Sequence, residues 1–249
     1  MEPRPQAGGH EGILIFRRDK VLKRALPCEL NFYTNLFNPN NQIPILLEFQ
    51  KFVPKFYGSQ LIDGSNYIVL ENLLWEYENP SIMDCKIGRV TWTRDHSPPR
   101  CVTQQLRASK TTTSSLGFRI TGLLIKDREG HVTDSIRKKQ VFDITPDNIL
   151  DYFARLVIRD DVFQEEVVDQ FIMETQEILD WFRKQRVSTF FTCSVLYVNG
   201  FNKAQTKFID FSYVYESDGQ RDTNMIEGLE SLINTWEKLK MKYAKSYYL

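Results

Sequence analysis

The sequence predicts an α+β protein with two lobes. Short apolar segments separated by polar turns dominate the first third of the chain, which is typical of antiparallel strands. Longer segments with apolar residues at helical spacing dominate the C-terminal part. Between them, the apolar strand at 67–70 runs directly into Glu71 and Asn72, a sequence typical of a hinge. We therefore expect an N-terminal lobe at 1–74 and a C-terminal lobe at 75–249.

The composition limits the kinds of partner. A hydrophobic share of 42% in 249 residues is enough for a full core. The formal net charge is zero, so the molecule lacks the overall positive field of nucleic-acid-binding proteins, and we expect no nucleic-acid partner. Any anionic partner must therefore be bound by a local cluster of basic residues.

The cysteines and the apolar segments indicate the compartment. The four cysteines are scattered and include no C-x-x-C pair, which argues for a reducing compartment and against a zinc site made of cysteines. No apolar run is long enough to span a bilayer, and the first residues do not have the pattern of a signal peptide. We expect a soluble protein of the cytoplasm, with the nucleus as a second location, and no stable membrane insertion.

The first hairpin and the helix after it carry two candidate residues. Apolar strands at 12–16 and 20–26 flank a polar turn, and Lys23 lies inside the second strand. It is either a solvated edge residue or a lysine that reaches nucleotide phosphates, as the strand lysine of protein kinases does. Helical spacing of apolar residues predicts a helix over 29–37. Glu29 either favours the positive end of this helix or pairs with Lys23.

The segment at 80–88 places charges inside an apolar run. Its sequence PSIMDCKIG sets Asp84 and Lys86 two residues apart, so both side chains point to one face of an extended strand. Burial of such a pair is costly unless each charge has a partner. The pair is therefore either a structural ion pair or part of a functional site.

The segment after this strand is locally basic. It carries a net charge of +4 over residues 89–110. A Pro-Pro pair predicts the start of a helix on which Arg100, Gln104 and Arg107 share one polar stripe. This stripe is either a solvated surface or an anion-binding wall, for which guanidinium groups are well suited because each can bind a phosphate bidentately.

The rest of the chain predicts mainly core. Asp210 is a second acid in an apolar run, between Ile209 and Phe211. It is either a structural aspartate or, together with Asp84, part of a metal–phosphate site, since Mg²⁺ is held by one or two carboxylates and phosphate oxygens. The further elements we expect are a hydroxyl-rich loop at 111–117, strands at 118–126, 193–200 and 206–211, and helices starting at Thr145, at about Asp161 and at about Asp222.

Sequence motifs exclude several enzyme classes and indicate one family. There is no G-x-x-x-x-G-K-[ST] loop, no H-R-D catalytic loop and no H-E-x-x-H motif. The segment at 80–88 instead resembles the P-x-x-x-D-x-K-x-G signature of the inositol polyphosphate kinase family at every fixed position. Further segments similar to family motifs are Gly8-Gly9-His10, Glu29-x-x-Phe32-Tyr33, Leu70-Glu71-Asn72-Leu73, Cys193-Ser194-Val195-Leu196 in place of S-S-L-L, Ile209-Asp210-Phe211, and Asp222 followed by Gly228-Leu229.

This resemblance covers nearly the whole chain and implies both a fold and an activity. The implied fold is two-lobed and protein-kinase-like, with an antiparallel sheet in each lobe and a helical C-terminal lobe. The implied activity is transfer of the γ-phosphate of ATP to inositol polyphosphates, with Mg²⁺ as the metal. We expect a monomer whose partners are ATP and the inositol polyphosphate substrate.

The resemblance also implies roles for residues of the nucleotide site. Lys23 is expected to contact the ATP phosphates, while Glu71 and Leu73 offer backbone groups to adenine. Asp84 is expected on the ribose and ATP side. Asp210 is expected to hold Mg²⁺ and to be one of two catalytic residues.

The second implied catalytic residue is Lys86, which is expected between the γ-phosphate and the attacking hydroxyl, where its charge stabilises the transferring phosphoryl group. Tyr213 occupies a position where some relatives have a substrate-contacting histidine. The residues expected to bind the inositol phosphate are Lys86, Arg100, Gln104, Arg107, Lys110 and Tyr213.

The family includes trisphosphate 3-kinases, multikinases and hexakisphosphate kinases. The Gly-Gly-His segment, the Leu-Glu-Asn hinge and the Thr/Ser-rich loop resemble the hexakisphosphate kinases, so a kinase that makes an inositol pyrophosphate is our first prediction. Phe118-Arg119-Ile120 is closer to the trisphosphate 3-kinases, and residues 178–182 are closer to the multikinases. Alternatives from other classes are an inactive inositide-binding scaffold and a lipid kinase, which vesicle binding would distinguish.

Overall fold

The computed structural model describes residues 14–136, 139–201 and 203–244, so the Gly-Gly-His segment lies outside the described residues. Its strands are β1 Leu14–Arg17, β2 Lys20–Arg24, β3 Phe56–Ile62, β4 Ser65–Glu71, β5 Ser81–Ile87, β6 Phe118–Lys126, β7 Val132–Ile136, β8 Ile158–Arg159, β9 Val162–Phe163, β10 Ser188–Phe191, β11 Ser194–Asn199, β12 Ala204–Ile209 and β13 Tyr213–Glu216. Its α-helices are α1 Pro27–Leu36, α2 Pro44–Phe49, α3 Pro98–Ser109, α4 Thr112–Leu116, α5 Ile149–Val157, α6 Glu165–Lys184 and α7 Thr223–Ala244, with short 3-10 helices at Gln50–Phe52 and Gln140–Phe142.

Two antiparallel sheets organise the fold. The first has the strand order β1-β2-β4-β3, and the second has the order β12-β11-β5-β6-β7. The α+β class and the antiparallel sheets expected from the sequence are therefore confirmed. The expected lobe boundary after residue 74 falls between the end of β4 at Glu71 and the start of β5 at Ser81, and it stays a prediction.

Helix α1 packs on the first sheet. It begins at Pro27, earlier than the sequence predicts, because a proline at the first helical position lacks an N–H that would be unsatisfied there. Tyr33 is buried and its ring lies 5.6 Å from the ring of Phe56 on β3, centre to centre. Helix α2 is a difference from the sequence prediction, which contains no helix between residues 39 and 58.

Two expectations about the middle of the chain are wrong. The hydroxyl-rich segment expected as a loop contains the short helix α4. The helix expected from Thr145 begins only at Ile149, because the Thr145 N–H donates to Asn148 Oδ1 and the Asn148 N–H donates to the Thr145 carbonyl. These two bonds close a turn over Thr145–Asn148, so the helix begins after this turn and not at Thr145.

The start expected for the next helix, at about Asp161, is also wrong. Strands β8 and β9 form a tight antiparallel pair over these residues, and helix α6 begins after it. Asp160 and Asp161 both have positive φ, 49° and 62°, which aspartate tolerates better than most residues. The turn they form reverses the chain. The apolar residues expected on one helix are therefore divided between β9, which carries Phe163, and α6.

The long helices α6 and α7 pack against the second sheet and form the centre of the core. Trp236 of α7 is fully buried, with ring centres 4.5 Å from Phe153 of α5 and 5.2 Å from Phe171 of α6. The apolar stripes that predict these helices are thus confirmed as core. Within the described part of the chain, no helix has the length and apolarity that crossing a bilayer requires.

Gly88 and Gly228 fix the end of β5. Gly88 has φ 95°, a conformation that favours glycine, and its N–H donates to the Gly117 carbonyl at 2.8 Å. Gly228 lies on α7 where an added Cβ would come within 2.6 Å of the Gly117 carbonyl oxygen. Because of this close approach, α7 holds β5 in place, and β5 carries the charged pair of the predicted site.

Candidate active site

An ion cluster joins the first sheet, helix α1 and the end of β12. The ammonium of Lys23 on β2 donates to Glu29 Oε1 at 2.7 Å and to Asp210 Oδ1 at 2.5 Å. Glu29 is 1% exposed, and its Oε1 also accepts from the Phe211 N–H at 3.1 Å. The predicted pair of Glu29 with Lys23 is therefore confirmed, and Glu29 also lies in the first turn of α1, as the other interpretation requires. It also brings Lys23 and Asp210 together.

The charges of this cluster stabilise one another. Burial acts to lower the pKa of Lys23, but Asp210 and Glu29 outweigh it and raise this pKa above its ordinary value. Burial acts to raise the pKa of Asp210, but Lys23 and Lys86 outweigh it and lower this pKa. Both groups therefore stay charged at neutral pH. The Asp210 side chain is 38% exposed, so a ligand can reach it, whereas Glu29 is enclosed.

The backbone aims Asp210 at Lys23. Asp210 follows the last residue of β12 and has φ 71°, in the left-handed region. The next residue, Phe211, is fully buried and its ring stacks on Phe32 of α1, with 4.5 Å between centres. This packing and the bond from the Phe211 N–H to Glu29 hold Asp210 in the left-handed conformation, which aspartate adopts more readily than most residues. The Asp210 side chain therefore does not follow the alternating side-chain directions of β12, and its carboxylate contacts Lys23.

Strand β5 is central in the second sheet and carries Asp84 and Lys86 on one face, as the spacing predicts. Asp84 Oδ1 is buried and has no hydrogen-bond partner among the described residues. Burial and the charge of Asp210 raise the pKa of Asp84, while Lys86 acts in the opposite direction. A buried acceptor without a donor is costly, so this oxygen is suited to a ligand hydroxyl or a cation.

Lys86 lies between carboxylates and another cation. Its Nζ donates to the Thr192 carbonyl at 2.8 Å. Burial and the charge of Arg119 lower the pKa of Lys86, whereas Asp210 and Asp84 act to raise it. An anion bound beside the ammonium would offset both unfavourable effects.

Arg119 belongs to this site, although the sequence analysis does not assign it there. It lies on β6 directly opposite Lys86 of β5 and is 4% exposed. Its Nη1 donates to Thr113 Oγ1 at 2.8 Å. Burial and the charge of Arg107 lower the pKa of Arg119 to about 10. The signal in the sequence is an arginine inside the apolar strand FRITGLLIK, where a charge requires a partner.

Lys86, Arg119 and Arg107 form a series of neighbouring positive charges, which we call the cation row. Charge repulsion from Arg119 acts on the pKa of Lys86, and repulsion from Arg107 acts on the pKa of Arg119. None of the three forms an ion pair within the part of the chain that the structure describes. Three neighbouring cations that form no ion pair are complementary to a ligand with several negative charges.

Helix α3 provides the predicted wall beside the cation row. The Arg100 guanidinium lies 5.8 Å from the centre of the Tyr213 ring, and His96 meets the same ring edge-on at 4.6 Å. The structure therefore brings Arg100 and Tyr213 together. Among the described residues, the side chains of Gln104 and Lys110 form no hydrogen bond or ion pair, so their substrate role stays a prediction.

Glu71 and Leu73 lie where the chain leaves the first sheet. The Glu71 N–H donates to the Lys55 carbonyl at 2.9 Å, and the Leu73 carbonyl accepts from Gln205 Nε2 at 2.6 Å. Both residues line a cavity of about 240 Å³ whose lining does not include Lys23 or the carboxylates described above. Because the Leu73 carbonyl is already engaged, the adenine contacts of this segment stay a prediction.

Two carboxylates could hold a divalent cation. Asp210 is ionised and accessible, and Asp84 Oδ1 lacks a partner in the described structure. The two are close enough for the charge of Asp210 to raise the pKa of Asp84. Mg²⁺ prefers oxygen ligands and uses one or two carboxylates together with phosphate oxygens. The residues present therefore fit such an ion.

The fold and the site define a kinase. A strand lysine fixed by a buried glutamate of a helix, carboxylates that fit a metal ion, and a row of cations are the parts that phosphoryl transfer from a nucleotide needs. Catalysis of this kind consists mainly of positioning and charge neutralisation.

Comparison with known proteins identifies the family. Residues 67–237 match the family model described as inositol polyphosphate kinase. Inositol polyphosphate multikinase alpha of Arabidopsis thaliana is 29% identical over 237 residues, which cover 83% of this chain and 80% of that protein. The inositol polyphosphate multikinase of Homo sapiens is 26% identical over 195 residues, which cover 75% of this chain and 46% of that protein.

Solved structures agree with this result. An inositol phosphate multikinase studied for its structure and protein engineering has a TM-score of 0.74 and 29% identity, covering 85% of this chain and 99% of that one. The inositol phosphate multikinase Ipk2 of S. cerevisiae, solved with ADP and Mn²⁺, has a TM-score of 0.74 at 21% identity. The match covers 91% of this chain and 99% of that chain, and it supports the fold alone. The chain belongs to the inositol polyphosphate kinase family. The two-lobed, protein-kinase-like fold expected from the sequence is thereby confirmed.

Proposed function

We propose that this protein transfers the γ-phosphate of ATP to soluble inositol polyphosphates. The observation that carries the proposal is the cation row, whose members form no ion pair in the described structure and which adjoins the Lys23–Asp210 cluster. An inositol polyphosphate presents several phosphates on one small ring, and guanidinium groups bind such phosphates bidentately. Relatives named inositol polyphosphate multikinases support the same substrate class.

The nucleotide is held on the side of the first sheet. Lys23, fixed by Glu29, binds phosphates of ATP, and Asp84 Oδ1 accepts a hydrogen bond from a ribose hydroxyl, which would satisfy its buried oxygen. Glu71 and Leu73 offer backbone groups to adenine. When bound, Mg²⁺ would be held by Asp210, with Asp84 as a second candidate, and it would neutralise charge on the phosphates.

The phosphoryl group passes beside Lys86. The ammonium is fixed by the Thr192 carbonyl at 2.8 Å and adds positive charge where negative charge develops on the transferring oxygens. The substrate hydroxyl attacks the γ-phosphorus, the bond to the bridging oxygen of ADP breaks, and the hydroxyl proton is released. Little base catalysis is needed because the transition state is loose.

The inositol phosphate is bound along β6 and α3. Arg107, which is exposed, binds its phosphates directly. Arg119 is buried behind it, is held in one place by Thr113 Oγ1, and adds positive charge to the same wall. Arg100 contributes from the same wall, stacked over Tyr213. Gln104 and Lys110 complete the wall as neutral and cationic donors.

The preferred substrate is a lower inositol phosphate with free hydroxyl groups, as expected of a multikinase. The named relatives support this choice, and so does the similarity of residues 178–182 to multikinases. The hexakisphosphate kinase predicted first from the sequence is the second candidate. It is favoured by the Leu-Glu-Asn hinge and the Thr/Ser-rich segment, both of which resemble hexakisphosphate kinases.

A substrate panel tests these assignments. The purified protein is incubated with magnesium-ATP and, separately, with inositol trisphosphate and inositol hexakisphosphate, and products are separated by anion exchange. Turnover of the trisphosphate alone supports the multikinase. A product more anionic than hexakisphosphate supports pyrophosphate synthesis instead. If neither compound is turned over, while both bind, the protein is an inactive inositide-binding scaffold and the proposed activity is wrong.

A further inference from the structure

An exposed serine precedes the helix that carries the wall. Ser97 is followed by Pro98, Pro99 and Arg100, and the residue three positions before it is Arg94. The sequence Ser-Pro-x-Arg is the pattern selected by those proline-directed serine/threonine kinases that also require a basic residue three positions after the acceptor. Ser97 is exposed, and its side chain makes no capping hydrogen bond to α3. Among the described residues, the Ser97 hydroxyl group therefore has no hydrogen-bond partner.

The local backbone allows access to a modifying enzyme. Ser97 has φ −58° and ψ 149°, the extended conformation imposed by a following proline and accepted by protein-kinase clefts. Pro98 and Pro99 have no N–H group, so the first backbone bond of the turn after Ser97 is from the Cys101 N–H to the Ser97 carbonyl, at 2.9 Å. Opening of this turn therefore breaks few hydrogen bonds.

The two arginines that flank Ser97 are available to bind a phosphate. The Arg94 guanidinium lies over the Tyr215 ring at 5.5 Å and the Arg100 guanidinium over the Tyr213 ring at 5.8 Å. Neither arginine forms an ion pair within the described residues. The nearby acid, Asp95, has its Oδ2 engaged by the Tyr215 hydroxyl at 2.7 Å.

We propose that Ser97 is a phosphorylation site for a proline-directed serine/threonine kinase, and that its phosphate blocks the substrate wall. In the modification, Ser97 Oγ attacks the γ-phosphorus of ATP in the active site of that kinase. A P–O bond to Oγ forms, the bond to the bridging oxygen breaks, ADP leaves, and the hydroxyl proton passes to solvent.

The consequence for the substrate rests on the function proposed above. A phosphoserine carries a charge of about −1.5 to −2 and three acceptor oxygens, which pair with neighbouring arginines. Placed before α3, it also lies at the helix end that favours negative charge. It therefore competes with a substrate phosphate for Arg100, while the nucleotide contacts of Lys23 are on a different element.

The first experiment tests the site itself. The full chain is treated with magnesium-ATP and a proline-directed kinase of this specificity, and phosphate is counted by intact mass and located by peptide mapping. We expect one phosphate, on Ser97, in the wild type and none on that peptide in Ser97→Ala. Thr145 is the matched control because it also precedes a proline and is exposed, but Asn148 stands three positions after it. No phosphate on Ser97, or equal modification of Thr145, overturns the proposal.

The second experiment tests the consequence. Phosphoserine is placed at position 97 during synthesis, and KM is measured for ATP and for whichever of inositol trisphosphate and hexakisphosphate is turned over. We expect KM for the inositol phosphate to rise about tenfold, with KM for ATP unchanged, since one charge-assisted contact is lost. Ser97→Ala should retain wild-type values. If neither compound is turned over, the proposed function fails. The blocking role is then tested by titrating the unmodified and the phosphorylated protein with inositol hexakisphosphate. Equal binding by these two forms overturns the blocking role.

Discussion

Replacement of Lys86 by methionine separates catalysis from binding and stability. Methionine keeps an unbranched side chain of similar length and removes the charge. The lost interactions are the charge beside the transferring phosphoryl group and the hydrogen bond to the Thr192 carbonyl, at 2.8 Å. Since Lys23 and Asp84 are retained, the nucleotide site keeps its proposed contacts.

The magnitudes follow from these two losses. Removal of one fixed electrostatic donor costs about 100- to 1,000-fold in turnover. Stability should change much less, because the effects on the two sides offset each other. The unfavourable burial of the charge and its repulsion by Arg119 disappear, whereas Thr192 loses a donor and Asp210 and Asp84 lose a neighbouring positive charge. We expect the free energy of unfolding to stay within about 2 kcal/mol of wild type.

The assay compares kcat, ATP affinity and urea unfolding in Lys86→Met and in a matched control. Lys207→Met is a suitable control for kcat, since burial also lowers the pKa of Lys207 and its Nζ donates to the Lys51 carbonyl at 2.7 Å. The carboxylates that act on Lys207 are Glu71 and Glu174, not Asp84 or Asp210. The control should keep its turnover. Unchanged turnover in Lys86→Met, or an equal loss in both variants, would refute the assignment of Lys86 as the catalytic cation.

Three other predictions concern the nucleotide site, the substrate wall and the core. Glu29→Gln keeps an acceptor for the Phe211 N–H but loses a charge-assisted bond, so unfolding free energy should fall by about 2 kcal/mol in urea titrations and KM for ATP should rise. Arg107→Ala should raise KM for the inositol phosphate in steady-state assays and spare KM for ATP; the reverse pattern would remove α3 from the substrate wall. Burial raises the pKa of Asp222 to about 6, against about 3.9 in the unfolded chain. The folded state therefore binds more protons between these values, and wild-type stability should fall by about 2 kcal/mol as pH rises from about 4 to 6, out of about 3 kcal/mol over the whole titration. Denaturation of Asp222→Asn should lack this slope, and an equal slope in both proteins would contradict burial of Asp222 as its cause.

The sequence predicts the parts of the site that depend on local periodicity. Asp84 and Lys86 share a face because side chains alternate along a strand, and this needs no knowledge of the fold. The pairing of Lys23 with Glu29 remained open because it depends on the position of α1 against β2, which the spacing of apolar residues does not fix. Helix α2 was missed because six residues are too few to show helical periodicity.

Arg119 shows a different limit of sequence reasoning. A single arginine in a strand is usually on the solvent face, and the apolar neighbours of Arg119 indicate burial without indicating which groups surround it. Only the register of β5 and β6 places it opposite Lys86, and only the packing of α3 brings Arg107 close to it. Its role follows from tertiary structure, which the local pattern does not contain.

The cation row explains why burial and charge coexist in this site. Burial of a charge is unfavourable without a partner, and repulsion between Lys86, Arg119 and Arg107 adds to that cost in the ligand-free protein. The unfavourable free energy of this site is offset elsewhere, because the large aromatic core that includes residues of β5 and β6 buries apolar surface. A bound polyanion would supply the missing partner for these charges and would offset the repulsion between them. If the proposed contacts form with phosphates and not with the uncharged ring, we expect the site to discriminate by the number and placement of phosphates. We then expect the breadth of substrates to be set by how many of the cations a given pattern of phosphates can reach.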